Sequence, residues 1–306
     1  MKLKNLLWPA VSLAMLAALF CVSDMKVVFS ANLLYASASI ACFMASIFFW
    51  GAAWHIVLKK DFLSEQRVNF KSMIGIFAPM GLGGDLLRAH FAQSEKIGRA
   101  EALSASFVVK FFKFAVMLFY LVFAVVLLAR KSADYSLYEP AFIGAFLLII
   151  FAIIIIALFN YPRFASVLQR IFRRVNVMHL HKNIKMHFKS LSSGASVSII
   201  LILVVSTVLE MGAVYFAAKA VGIPLLVAHV FILGAVVNML ALAAFTPQGI
   251  GFVEAGAAVV MSMGFFAVSP PLIAGFLVIW NIVRIWVPSA AAAALISIDS
   301  FRGHEK

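Results

Sequence analysis

The recurrence of apolar runs about 20 residues long constrains this 306-residue chain more than any other feature. A helix of that length crosses the roughly 30 Å hydrocarbon core of a bilayer. Inside that core, backbone polar groups must bond to each other, which leaves a helix bundle or a closed β-barrel. The runs lack the apolar/polar alternation of barrel strands. The sequence therefore predicts an all-α, polytopic transmembrane helix bundle.

The predicted bundle contains about eight apolar elements, two of them broken or re-entrant, in one transmembrane domain that spans residues 1–306. Two related halves cover residues 1–160 and 194–298, with a basic loop at 161–193 and a short tail at 299–306. The apolar segments lie at residues 6–22, 27–58, 103–129, 140–160, 196–218, 225–245 and 272–298, and a glycine-broken stretch occupies 246–268.

The distribution of basic residues predicts the orientation. If the N-terminus is cytoplasmic, the cytoplasmic stretches hold 18 of the 25 Lys and Arg residues and the external stretches hold four. Cytoplasmic loops of membrane proteins collect Lys and Arg, so this bias favours that orientation. The same preference accounts for the formal charge of +13 without a nucleic-acid partner.

The stretch 73–87 is apolar but short for a span. If it crossed the membrane, the loop 163–189, with its seven basic residues, would face outside. A re-entrant hairpin entered from the cytoplasm avoids this, and such backbone is tolerated only inside protein or along a watery cavity. The sequence therefore predicts a cavity. In the basic loop, apolar residues at helical spacing predict an amphipathic helix on anionic lipid: Leu168, Ile171, Phe172 and Val175.

An internal repeat is the most informative motif. The segment Phe77-Ala78-Pro79-Met80-Gly81-Leu82-Gly83 returns 168 residues later as Phe245-Thr246-Pro247-Gln248-Gly249-Ile250-Gly251. Proline and paired glycines break a helix and let the backbone approach a ligand closely. The helix that restarts offers free N–H groups, which suit a phosphate or carboxylate. Broken apolar segments at matching positions of two halves are typical of a transporter's binding site; two unrelated helix kinks are the alternative.

Ionisable residues near the motifs and inside apolar segments extend this candidate site. Asp85 and Arg88 are three apart and share a helix face, so they either pair or bracket a charged head group. Glu254, which follows the second motif, either caps its helix or binds ligand. Lys110 and Lys113 share one face of segment 103–129. An unpaired lysine facing lipid costs roughly 2.5–3.5 kcal/mol, so both should face the bundle.

With Glu210 and Arg284, these lysines form a set of four buried charges. One internal ion pair accounts for only two of them, and the remainder is positive. An anionic ligand would complement it. The candidate lipid- or substrate-binding residues are therefore Pro79, Gly81, Gly83, Asp85, Arg88, Lys110, Lys113, Glu210, Pro247, Gly249, Gly251, Glu254 and Arg284.

The sequence shows no catalytic or metal-binding pattern. It contains no nucleophile elbow, phosphate-binding loop or cluster with metal-ligand spacing. Both cysteines lie inside apolar runs, and the isolated histidines are interpreted as packed or solvated residues: His55, His90, His179, His181 and His187. We therefore expect no enzyme activity, no metal and no cofactor.

At the repeated motifs the sequence resembles the membrane region of lysylphosphatidylglycerol synthases and their stand-alone flippase-like relatives. The matching pieces are Pro79-Met80-Gly81-Leu82-Gly83-Gly84-Asp85-Leu86-Leu87-Arg88 and Pro247-Gln248-Gly249-Ile250-Gly251-Phe252-Val253-Glu254. The helix arrangement between them also fits, so the resemblance covers nearly the whole chain. It implies a bacterial inner-membrane protein linked to moving lipids or lipid-linked head groups between leaflets. The aminoacyl-transferring domain that follows in the synthases is expected to be absent.

One departure from that family concerns the third long segment. The family often has Glu-Arg before two apolar residues and an Asp there, whereas the aligned stretch is Val109-Lys110-Phe111-Phe112-Lys113. Lys113 in place of an acid makes the site more cationic, which favours a more anionic head group.

The sequence thus predicts translocation of an anionic lipid, of a phospholipid or polyprenyl-phosphate type. Two other functions remain open, namely a lipid-binding scaffold or regulator and a small-solute secondary transporter. Membrane lipids are the expected partners, nucleic acid is not expected, and a homo-oligomer remains open.

The predicted topology can be tested by cysteine labelling. Single cysteines next to Lys96 and next to Lys182, in a chain whose two native cysteines are replaced by serine, should react with an impermeant reagent only from the cytoplasmic side. Both positions lie in stretches that the distribution of basic residues predicts to be cytoplasmic. Labelling of the site near Lys96 from the outside would contradict the re-entrant hairpin.

Overall fold

The computed structural model describes residues 25–77, 83–129, 177–243, 252–262 and 268–304, together with position 14. Three predicted elements lie outside these ranges, namely the segments 6–22 and 140–160 and the amphipathic helix around 168–175. Five candidate residues of the repeated motif also lie outside them: Pro79, Gly81, Pro247, Gly249 and Gly251.

The described residues form helices with no strand among them, which confirms an all-α membrane bundle. The helices are α1 (Met25–Phe29), α2 (Leu33–Leu58), α3 (Phe62–Lys71), α4 (Gly83–Ala92), α5 (Arg99–Ala129), α6 (Val177–Ser190), α7 (Ser193–Ala220), α8 (Val227–Ala243), α9 (Phe252–Ser262), α10 (Pro270–Asn281) and α11 (Val287–His304). Within these ranges, four stretches are long and apolar enough to cross a membrane: Leu33–Leu58, Arg99–Ala124, Ser193–Ala220 and Pro270–Phe301. Shorter apolar stretches lie in α8 and α9.

Capping groups set both ends of α2. The helix begins at Leu33 because the Asn32 side chain accepts hydrogen bonds from two backbone N–H groups of the first turn, at 3.0 and 3.3 Å. It ends at Leu58, and the next residue, Lys59, has a left-handed backbone with φ 56°. The predicted segment 27–58 therefore ends where expected but starts later, because a break at residues 30–32 separates α2 from α1.

α2 and α7 pack directly against each other. The Ser39 hydroxyl donates to the Ala213 carbonyl at 2.7 Å, and the Ser206 hydroxyl donates to the Ser46 carbonyl at 3.1 Å. Small hydroxyl residues let two backbones approach and supply hydrogen bonds that lipid cannot. One apolar cluster forms mainly from α2–α6, and a second forms mainly from α7–α10.

The last predicted segment, 272–298, lies within one helical stretch, Pro270–Phe301, which contains a π-turn. α10 passes into a π-turn at Ile282–Trp286 before α11 continues to His304. Pro288 has no N–H, so it cannot donate to the carbonyl of Arg284 four residues earlier. The π-turn, which is wider than an α-helical turn, includes Arg284. The Arg284 side chain is buried in the bundle interior.

Polar side chains hold α3 against α2. The Gln66 amide donates to the Phe48 carbonyl at 3.1 Å, and the Asn69 amide donates to the Ile47 carbonyl at 2.9 Å. Both side chains cross Gly51, where an added Cβ would lie 2.4 Å from Gln66 Oε1 and 2.7 Å from Asn69 Nδ2. The absence of a side chain at Gly51 therefore allows this close approach.

We expect Gly51→Ala to lower the thermal stability of the purified protein, with an overpacking cost of about 1–3 kcal/mol. Neither amide can withdraw from the new methyl group without weakening its hydrogen bond to α2. Gly194→Ala is the matched control, because a Cβ there meets nothing within 4 Å. The measurement is thermal unfolding in detergent. Equal melting temperatures for the two variants would contradict this packing.

Candidate functional site

A cavity of about 200 Å³ lies inside the bundle. Residues of α2, α4, α5, α7, α8, α10 and the π-turn line it, and six of the sequence-predicted site residues are among them: Asp85, Arg88, Lys110, Lys113, Glu210 and Arg284. A seventh, Glu254, contacts Arg284 from α9. The structure thus brings the candidate charges of both halves to one place.

A described helix follows each of the two motifs. α4 starts at Gly83 and α9 at Phe252, and each carries an acid in its first turn, Asp85 and Glu254 respectively. A carboxylate is favoured there by the positive end of the helix dipole. Each acid also has a buried cationic partner, so neither acts as a cap alone.

Asp85 pairs with two cations at once. Its Oδ1 accepts a hydrogen bond from Arg88 Nη1 at 2.9 Å, and its Oδ2 pairs with Lys110 Nζ. The side chains of Asp85 and Arg88 are each 4% exposed, whereas that of Lys110 is 15% exposed. One carboxylate between two cations leaves this end of the cavity with an excess positive charge, and Lys110 is its most exposed member.

The guanidinium of Arg88 is held on several sides. Nη1 also donates to the Ser106 hydroxyl at 3.2 Å, Nη2 donates to Asn69 Oδ1 at 2.8 Å, and the guanidinium carbon lies 5.5 Å from the centre of the Trp54 ring. A planar fork with fixed donors suits such a site better than the single ammonium of a lysine. Arg88 therefore ties α4 to α2, α3 and α5.

A second ion pair lies one helical turn further along α5. Lys113 Nζ is 2.9 Å from Glu210 Oε2 and 3.5 Å from the Ser206 hydroxyl, and it lies 6.0 Å from the centre of the Trp50 ring. The Asn238 amide of α8 approaches the same Glu210 oxygen at 3.5 Å. Both lysines of α5 thus face the interior toward an acid, as predicted.

The third pair joins α9 to the π-turn. Arg284 Nη2 lies 3.0 Å from Glu254 Oε1, and both side chains are buried. The sequence predicted one internal ion pair and two unpaired positive charges, and this count is corrected by the structure. Three carboxylates meet four cations in the described site, so the formal excess is a single positive charge.

Several residues of the site were not predicted. Asn238 is a lone amide in an apolar segment, and a polar residue at membrane depth is a detectable signal. Asn69 lies in a segment of mixed polarity, and Ser106 and Ser206 are small hydroxyl residues that occur commonly in transmembrane helices, so these three residues gave no such signal. Trp50 lines the cavity but cannot be told from a packing residue by sequence.

The described histidines do not line the cavity. His55 lies beyond it at the end of α2, with Nδ1 2.5 Å from Glu65 Oε2; burial raises the pKa of Glu65, and this hydrogen bond opposes the rise. Burial lowers the pKa of His187 in α6, while Glu101 acts to raise it. Among the described residues, no group of three or more His, Cys, Asp or Glu side chains could hold a metal ion.

We expect Arg88→Lys to destabilise the protein by about 2–3 kcal/mol, because a lysine cannot satisfy Asp85, Ser106 and Asn69 together and leaves buried acceptors unpaired. Arg67→Lys, at an exposed position of α3, is the matched control and should leave the melting temperature unchanged. Thermal unfolding of both variants checks this. A stable Arg88→Lys protein would mean that the guanidinium fork is not a structural requirement.

The comparison with known proteins agrees with these motifs. The family model described as "Lysylphosphatidylglycerol synthase TM region" matches residues 6–292, a range that contains every residue of the described cavity. No curated protein and no solved structure matches the chain. The resemblance seen in the sequence is confirmed, and the chain belongs to the lysylphosphatidylglycerol synthase transmembrane-region family.

Proposed function

We propose that this protein translocates an anionic lipid, or an anionic lipid-linked head group, between the leaflets of the bacterial inner membrane. The observation that carries the proposal is an interior cavity with an excess positive charge inside an apolar bundle. Membership of a lipid-related membrane family supports it. The proposed orientation has a cytoplasmic N-terminus, the proposed driving force is an ion gradient or the gradient of the lipid itself, and no enzyme activity is proposed.

The double pairing of Asp85 would allow a lipid head group to bind without leaving Asp85 unpaired. An unpaired lysine or carboxylate at membrane depth is costly. Because Asp85 contacts both Arg88 and Lys110, Lys110 can turn to a lipid phosphate while Asp85 keeps its pair with Arg88. Release of the lipid restores the Lys110 pair. Each of these three charged groups therefore keeps a partner of opposite sign throughout the proposed cycle.

Two other functions each have an observation in their favour. The cavity charges of the described residues are already paired within the protein, which suits a scaffold or regulator that binds lipid without moving it. The cavity is also small enough for a soluble anion, which suits a secondary transporter. Lipid translocation is preferred because it combines the anion site with the family membership.

The two lysines of α5 make different predictions for stability and lipid binding. Lys110→Gln leaves Asp85 paired with Arg88, so the protein should stay folded and lose retention of anionic lipid. Lys113→Gln strands Glu210, and loss of one partner of a buried pair costs about 3–5 kcal/mol. The double variant Lys113→Gln/Glu210→Gln should recover most of that stability.

The measurement is mass spectrometry of lipids that co-purify in mild detergent, beside thermal unfolding of each variant. Lys60→Gln serves as the control, because Lys60 is exposed and only loosely paired with Glu101 at 3.8 Å. If all variants retain the same lipids while stability follows the pairing, the charges are structural and the proposed site is wrong.

A transport assay distinguishes a flippase from a lipid-binding scaffold. In proteoliposomes with a fluorescent anionic phospholipid, the native protein should expose both leaflets to an impermeant quencher, and Lys110→Gln should slow this exposure. Retention of lipid with no exposure of the inner leaflet would favour the scaffold.

A further inference from the structure

The α6 helix carries a basic stripe along one face. Lys182, Lys185 and Lys189 recur at intervals of three and four residues, which places them side by side on a helix. All three are exposed, and so is Met186 among them. The helix Val177–Ser190 contains no Asp or Glu, and within the described ranges no ion pair involves these lysines. The stripe is therefore a positive surface that the described part of the protein does not neutralise.

The opposite face of α6 packs against α5. The Phe188 ring lies edge-on to the Phe111 ring, with 5.3 Å between their centroids, and its centroid is 5.9 Å from that of Phe112. Ile184 is buried in the same apolar cluster. The amphipathic helix predicted around 168–175 would bind lipid through its apolar face, whereas the apolar face of α6 is occupied by protein. Contact between the basic stripe and a membrane would therefore be electrostatic.

Two connections hold the basic stripe close to a membrane surface. Two residues separate α6 from α7, which begins at Ser193 and is long and apolar enough to cross a membrane. Lys189 precedes Ser193 by four residues, and four residues reach at most about 14 Å. At the same end of α6, Phe188 contacts rings that belong to the apolar stretch Arg99–Ala124 of α5. The C-terminal half of α6 therefore lies within reach of lipid head groups.

Charge and position together favour anionic lipid as the partner of this surface. Anionic lipids give a leaflet a negative surface potential that attracts lysines next to a membrane span. The ammonium group of a lysine acts as a point charge on a flexible stem, so it does not require one head-group shape. An acidic protein segment would also complement the charge, but it would compete with a lipid surface that is held beside the helix at all times.

We propose that the basic stripe of α6 binds the anionic head groups of the adjacent leaflet and enriches anionic lipid beside this helix. The stripe recognises the charge of the lipid and not the structure of its head group. None of the described α6 residues lines the cavity, so this inference does not depend on the proposed function.

The test measures which lipids lie next to α6 in the full chain. The protein carries a fluorophore on Met186→Cys, its two native cysteines are replaced by serine, and it is placed in phosphatidylcholine nanodiscs. Equal small fractions of nitroxide-labelled phosphatidylglycerol, phosphatidylserine or phosphatidylcholine are added, and quenching of the fluorophore reports the local concentration of each lipid. Both anionic lipids should quench more strongly than phosphatidylcholine, and to the same extent as each other.

Substitutions in the stripe should lower this preference in proportion to the charge removed. One lysine near an anionic surface favours the contact about fivefold at low salt, so Lys185→Gln should reduce the preference by about that factor. Lys182→Gln/Lys185→Gln/Lys189→Gln should abolish it. The matched control replaces the same three lysines by arginine, which keeps the charges and should keep the preference.

A salt titration provides a second measurement that leaves the lysines unchanged. Salt at about 1 M shortens the screening length to roughly 3 Å and should abolish the preference. Equal quenching by all three lipids, or a preference that persists in the triple Gln variant or at high salt, would overturn the proposal. A preference for one anionic lipid over the other would overturn it in favour of a specific head-group site. If the lipids quench equally while a polyglutamate peptide shields the fluorophore from an aqueous quencher, the partner is an acidic protein segment.

Discussion

The cost of an unpaired charge at membrane depth is the constraint on which the rest of the described bundle depends. Four cations line its cavity or its edge, and each is paired with a carboxylate: Asp85 of α4 pairs with Arg88 of the same helix and with Lys110 of α5, Glu210 of α7 pairs with Lys113, and Glu254 of α9 pairs with Arg284. These pairs connect elements that are otherwise held by apolar packing, which specifies position weakly inside lipid. The Lys113–Glu210 pair connects the two halves of the described bundle, and both of its residues line the cavity.

Much of the fold could be predicted from the sequence because a single rule governs it. Apolar runs of sufficient length must be helical in a membrane, so α5 and α7 lie within a few residues of the predicted segments. In two places a single residue changes a helix in a way that this rule does not predict. Asn32 starts α2 later than the apolar run does, because it satisfies the first free N–H groups. Pro288 lacks a backbone donor, which hydropathy does not register, and the last helix contains a π-turn just before it.

The sequence predicted which charged residues belong to the candidate site, but it did not predict which of them pair with each other. A charge in an apolar run is visible in any sequence, whereas its partner depends on tertiary packing. Lys110 pairs with Asp85 of α4, and Lys113 pairs with Glu210, 97 positions later. The sequence therefore overestimated the positive charge left for a ligand. It also missed the amides that orient the charged groups, such as Asn69 and Asn238, whose role comes only from their neighbours.

The single excess charge and the shared carboxylate of Asp85 together give the site its proposed behaviour, in which Lys110 exchanges an internal partner for a ligand phosphate. The most direct test is an experimental structure of the protein in nanodiscs that contain phosphatidylglycerol. We predict density for a phosphate within hydrogen-bond distance of Lys110 Nζ, with Asp85 still paired to Arg88. An unchanged Lys110–Asp85 pair, with lipid bound only on the outer surface of the bundle, would contradict the proposed exchange.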